Sequence, residues 1–156
     1  MPRPDSDTSP LSTIRTALLW MLLAGSTGTL LELLLIGHSE MAAQLAPLIL
    51  LGLGILVAGW TLIAPRAATI RSLQVLMGLF VVSGLVGVFL HYKGNETFEL
   101  EMTPSRAGIS LVSKTLTGAT PVLAPGSMSL LGCVGLAFAY RHPLLRSPHT
   151  GSEEKS

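Results

Sequence analysis

Residues 72–92 read SLQVLMGLFVVSGLVGVFLHY, and this stretch decides the fold class. It carries no Asp, Glu, Lys or Arg. A bilayer core about 30 Å thick is crossed by roughly 20 helical residues, each advancing about 1.5 Å. Water is absent there, so every backbone N–H and C=O must be paired internally, which leaves a helix or a closed barrel. Barrel strands alternate polar and apolar residues over about ten positions, and this run does not.

The flanking sequence repeats the pattern. Residues 41–64 (MAAQLAPLILLGLGILVAGWTLIA) hold no charge, and residues 16–37 (TALLWMLLAGSTGTLLELLLIG) hold only Glu32. The latter reads as an uncleaved helix, because no A-x-A site is visible and apolar sequence resumes at once after Ser26. Residues 118–140 (GATPVLAPGSMSLLGCVGLAFAY) form the weakest span, since Pro121 and Pro125 disrupt helix in its first third and predict a broken or late start. The expectation is an all-α, polytopic integral membrane protein: a four-transmembrane-helix bundle with a partly ordered outer loop at 93–117. Residues 1–12 and 142–156, rich in Ser, Pro, Thr and charge, are expected to be disordered cytoplasmic segments.

Composition agrees. Only 12% of the 156 residues are charged and the mean hydropathy is +0.59, against about a quarter charged in soluble domains, so a soluble globular domain is excluded. A net charge of +1 with no basic run argues against nucleic acid as a partner. Cys133 is the single cysteine, so no internal disulfide exists. Neither a P-loop, a dinucleotide fingerprint nor a nucleophile elbow is present, which leaves an enzymatic role without a motif.

Lys and Arg collect in cytoplasmic loops. Arg3, Arg15, Arg66, Arg71, Arg141, Arg146 and Lys155 fall on one side, and Lys93, Arg106 and Lys114 on the other. Both termini are therefore expected in the cytoplasm, with the plasma (inner) membrane as location. In the outer segment, the alternation of Phe98, Leu100 and Met102 with Thr97, Glu99 and Glu101 predicts an extended stretch with one wet face. Pro104 and Ser105 suggest a turn and helix start, with Ile109, Leu111, Val112 and Leu116 as the stripe of a short interfacial helix. Asn95-Glu96-Thr97 matches the N-glycosylation pattern, a three-residue match common by chance.

Three groups of residues carry candidate chemistry. Glu32 lies about five residues, roughly 8 Å, inside the outer end of its span, where ionisable groups are rare and costly. Gln44 sits at a similar depth after a short connection, so the two are candidates for one intramembrane polar site or one helix–helix hydrogen bond. Gly118, Pro121, Pro125 and Gly126 place irregular backbone at membrane depth, which lines transporter sites or packs at the interface beside a proline in the first helical turn. Finally His38, Glu40, His91, Glu96, Glu99 and Glu101 share the outer side. Imidazole with carboxylate suits zinc, manganese or iron, and two histidines suit a haem iron, but no fixed ligand spacing is present and no cofactor is required.

Small residues recur four apart at Ala24/Gly28, Gly54/Ala58, Ser83/Gly87 and Gly135/Ala139, the spacing that lets helix backbones approach closely in lipid. Four spans with a carboxylate in the first resemble the small multidrug-resistance transporters in outline. The outer segment of 25 residues and the residues around Glu32 depart from that pattern, so no role is carried across. The functional expectation is a non-enzymatic membrane component or accessory subunit, with lipid and a membrane-protein partner or second copy as its contacts. A small ion-coupled carrier using Glu32 and the broken fourth span is the alternative, and a metal or haem protein comes third.

Overall fold

The computed structural model describes residues 10–39 and 42–145. Helix accounts for 82% of them and no strand is present among them, so the chain is all-α. Five helices follow one another: α1 (Pro10–Leu35), α2 (Ala42–Ile63), α3 (Ala67–Met102), α4 (Gly108–Leu116) and α5 (Gly126–Ala139), with a 3-10 turn at Pro143–Leu145. Three of them, α1, α2 and α3, are long and apolar enough to cross a membrane.

Local chemistry sets several of the boundaries. Helix α1 opens on Pro10, whose missing N–H is no loss in a first turn. It closes at Gly37, φ +66°, with the His38 N–H donating to the Leu33 carbonyl at 2.9 Å, the glycine-terminated Schellman arrangement. Residues 10–12 are thus helical, in place of the expected disorder. The remainder of that expectation, and most of that for the tail, lies outside the described residues. Helix α3 begins after Pro65, where the Arg66 N–H donates to Thr69 Oγ1 at 3.0 Å. It ends at Met102 because Thr103 precedes Pro104 and is driven out of the helical region, to φ −143° and ψ 82°.

The extended stretch expected over 97–102 is helix instead. Extending an existing helix costs no new nucleus, and Glu, Leu and Met favour it, so a short period-two pattern at the end of a long helix does not compete. At 36 residues, α3 is about 54 Å long and outreaches a bilayer core of about 30 Å. Helix α5 departs the other way. It starts at Gly126, with Pro125 as its N-cap, and has 14 residues, about 21 Å.

Helix α1 packs on α2 and α5, α3 packs on α2 and α5, and α4 lies on the projecting end of α3. The core is made by Leu19 and Leu22 of α1, Leu51 and Ala58 of α2, Ile70, Leu73, Met77 and Phe80 of α3, and Met128, Phe138 and Ala139 of α5. Outward positions are equally apolar: Leu35 is 87% exposed, Ile63 84% and Val75 68%. Soluble proteins do not expose such continuous apolar surface, whereas lipid solvates it.

The seam between α3 and α5 is made by missing side chains. A Cβ on Gly132 would stand 2.7 Å from the Met77 carbonyl oxygen and 2.9 Å from the Val81 nitrogen, and one on Gly84 would stand 2.6 Å from the Ser129 nitrogen. Ser129 Oγ then donates to the Val81 carbonyl at 2.9 Å. Of the expected small-residue pairs, Gly54/Ala58 meets Phe80 or the core, Gly87 meets Pro125, and Gly135/Ala139 is buried. Ala24/Gly28 faces outward, with nothing within 4 Å of a Cβ on Gly28.

Candidate functional site

The densest polar chemistry lies where the projecting end of α3 meets residues 115–125. Asn95 is 3% exposed. Its Nδ2 donates to the Thr115 carbonyl at 2.9 Å and to the Thr120 carbonyl at 2.8 Å. Its Oδ1 accepts from the Thr120 N–H at 3.2 Å and the Thr120 hydroxyl at 2.7 Å. Four residues earlier on the same helix, one turn away on the same face, His91 donates from Nδ1 to the Pro121 carbonyl at 3.1 Å. One helix face thereby supplies partners to three carbonyls of non-helical or helix-ending backbone. Irregular backbone near a membrane needs such partners, since water and regular structure do not provide them. Gly118 is the residue that permits the approach: its Cβ would lie 2.7 Å from Asn95 Cγ.

The broken start of α5 is therefore a sequence of tight turns held against α3. Ala124, Gly126, Ser127 and Met128 donate their N–H groups three residues back, Pro125 rests against Gly87, and Gly126 against Val88. Of the candidates, Pro125 and Gly126 pack on protein here, whereas Pro121 is exposed and only its carbonyl is held, by His91. Asn95 itself, set aside in the sequence as a chance glycosylation match, is the organising residue, and its burial leaves no room for a glycan. The i, i+4 spacing of His91 and Asn95 at the polar end of an apolar helix is the signal that could have found it.

Thr115 Oγ1 is buried and has no hydrogen-bond partner among the described residues. An unpaired buried hydroxyl costs free energy that an isosteric methyl does not. Thr115→Val is accordingly expected to raise stability by about 1 kcal/mol, read as a higher melting temperature in mild detergent. Unchanged or lower stability would show that the hydroxyl has a partner in solution.

The outer His and Glu residues are dispersed. Helix turns by about 100° per residue, so Glu96 and Glu99, three apart, share one side of α3 and Glu101 points well away from both. Glu96 pairs with Lys93 at 2.6 Å, Glu99 pairs with Arg106 at 3.4 Å across the α3–α4 turn, and Glu101 is exposed. His38 is half-buried at the end of α1, and Glu40 lies outside the described residues. Among the described residues no three His, Cys, Asp or Glu side chains converge as a metal site would require. Glu32 is exposed on α1, with no ion pair among the described residues. Gln44 is half-buried on α2.

At the opposite end, Arg15 caps α5. Its Nη2 donates to the Tyr140 carbonyl at 3.5 Å and the Arg141 carbonyl at 3.4 Å, the orphan acceptors of a helix C-terminus. Arg141 takes the left-handed region, φ 47°, and turns the chain so that His142 packs on Phe138 with ring centres 5.4 Å apart. Burial, and then the Arg15 charge, hold His142 below the usual histidine range.

Three long apolar helices and an apolar outer surface define the class: an all-helical membrane protein in contact with the lipid bilayer. Comparison with known protein families, with curated proteins and with solved structures finds no match.

Proposed function

We propose that the chain is a four-span membrane protein, both ends cytoplasmic, that acts as a non-catalytic component through helix contacts with a membrane partner or a second copy. Helix α5, too short alone, completes the fourth crossing together with the turns before it. Arg15, Arg66, Arg71 and Arg141 then lie on the cytoplasmic side. Helix α4 rests on the outer surface by its exposed Ile109, Val112 and Leu116.

One observation carries the reading. At the outer end His91, Lys93, Asn95, Glu96, Glu99 and Arg106 are taken up in internal bonds, whereas one face of α1, Ala17, Met21, Ala24, Gly28 and Glu32, is left uncovered. Small residues permit a second helix to approach that face, and a carboxyl group in lipid gains from a hydrogen-bond partner there.

The test is cross-linking from α1 in native membranes. Gly28→Leu with Glu32→Gln is expected to reduce the cross-linked product about fivefold or more, the equivalent of the 1–2 kcal/mol that such contacts supply, while helix content and melting temperature hold. Product unchanged in the double variant would remove the reading. The Glu32 carboxyl, unpaired among the described residues, also favours a carrier, which differs in one respect: Glu32→Gln alone would abolish proton-coupled uptake into vesicles and leave the cross-link intact.

A further inference from the structure

The ends of α1, α2 and α5 nearest Arg15 border an open cleft of about 320 Å³. Its polar wall is Arg15 and His142, and its floor is Leu19, Leu62 and Phe138. We propose that this cleft binds the phosphate group of an acidic phospholipid, with Arg15 gripping the phosphate and the apolar floor taking the glycerol and first acyl carbons.

No carboxylate pairs with Arg15 among the described residues. Its two contacts to the end of α5 both leave from Nη2 and are long, 3.4 and 3.5 Å. They hold the guanidinium in place and leave Nε and Nη1, whose N–H groups no described residue takes, for single charge-assisted hydrogen bonds to phosphate oxygens. His142 is fixed to assist: its Nδ1 accepts from the Leu144 N–H at 3.3 Å, so in the neutral ring Nε2 is the donor.

The rest of the cleft selects lipid over a free anion. Apolar floor residues give inorganic phosphate nothing to bind. A shallow groove of about 420 Å³ runs on along α1 past Ala17 and the exposed Trp20, sharing Ser12 and Thr16 with the cleft. An acyl chain has a path there. Basic pockets between spanning helices on the cytoplasmic side are where acidic headgroups bind.

The proposal rests on the membrane disposition given above, and the two fail separately. Lost lipid preference with the α1 cross-link retained removes only the site, and the converse removes only the function. The experiment uses the full chain in neutral-detergent micelles carrying phosphatidylcholine alone or mixed with phosphatidylglycerol, with retained lipid read by native mass spectrometry. Wild type should retain phosphatidylglycerol about tenfold over phosphatidylcholine. Arg15→Gln should lose that preference, Arg15→Lys should keep part of it, and Arg66→Gln with Arg71→Gln should keep it in full. Equal retention of both lipids by wild type would overturn the proposal, and this holds even if Arg15→Gln fails to fold. So would equal losses in the Arg15 and the Arg66/Arg71 variants, which would mean diffuse surface charge. Displacement of the lipid by millimolar inorganic phosphate would overturn the lipid source.

Discussion

Asn95→Asp is expected to destabilise the protein by roughly 2–4 kcal/mol, since each orphaned buried polar group costs about 1–3 kcal/mol. The amide is used at both ends. Nδ2 serves the Thr115 and Thr120 carbonyls, while Oδ1 serves the Thr120 N–H and hydroxyl. Aspartate keeps the acceptor and loses both donors, so two carbonyl oxygens would face a buried carboxylate. Asn95→Leu loses all four bonds but buries no charge, and should cost somewhat less. Unfolding in mixed micelles gives the magnitude, and amide hydrogen exchange gives the location: protection should fall first over 108–125 and last in α1 and α2. A loss under 0.5 kcal/mol for Asn95→Asp, or loss of protection spread evenly, would show that Asn95 does not hold the outer end.

Gly132→Val should be the most damaging change in the apolar interior. The first added carbon would meet backbone, the Met77 carbonyl oxygen at 2.7 Å and the Val81 nitrogen at 2.9 Å, and backbone inside a packed helix has nowhere to move. Overpacking of this kind costs about 1–3 kcal/mol, and here it separates α3 from α5 along their whole seam. Gly135→Ala meets only the flexible side chain of Met77 and Leu22 and should cost less. Gly28→Val, with open space around it, should leave the unfolding midpoint unchanged in detergent. The order Gly132, Gly135, Gly28 is the check, and equal effects at all three would mean that helix propensity, not packing, sets the cost.

Much of the fold was legible because it rests on local physics. Residues 72–92, 41–64 and 16–37 are apolar over a bilayer's length, and their helices α3, α2 and α1 follow from the need to pair backbone groups. The late start of α5 followed from Pro121 and Pro125, and the short helix α4 from the apolar stripe at 109–116, although it begins at Gly108, beyond the turn at Pro104 and Ser105. Helical faces in lipid were not legible. In water an apolar residue marks the inside, but lipid is as apolar as a protein core, so Leu22, fully buried, and Leu35, 87% exposed, look alike in sequence.

The candidate site divides in the same way. The sequence by itself determined that α1, α2 and α3 are membrane-length apolar helices, that basic residues cluster at one end, and that irregular backbone precedes α5. Only the tertiary structure decided that Asn95 satisfies that backbone, that the outer carboxylates of α3 do not converge on one site, and that Arg15 meets His142 in one cleft. The reason is distance along the chain. Helix formation is set by neighbours a few residues apart, whereas Asn95 reaches partners 20 and 25 residues away and Arg15 reaches partners 125 and 126 away, pairings that exist only once the helices have packed.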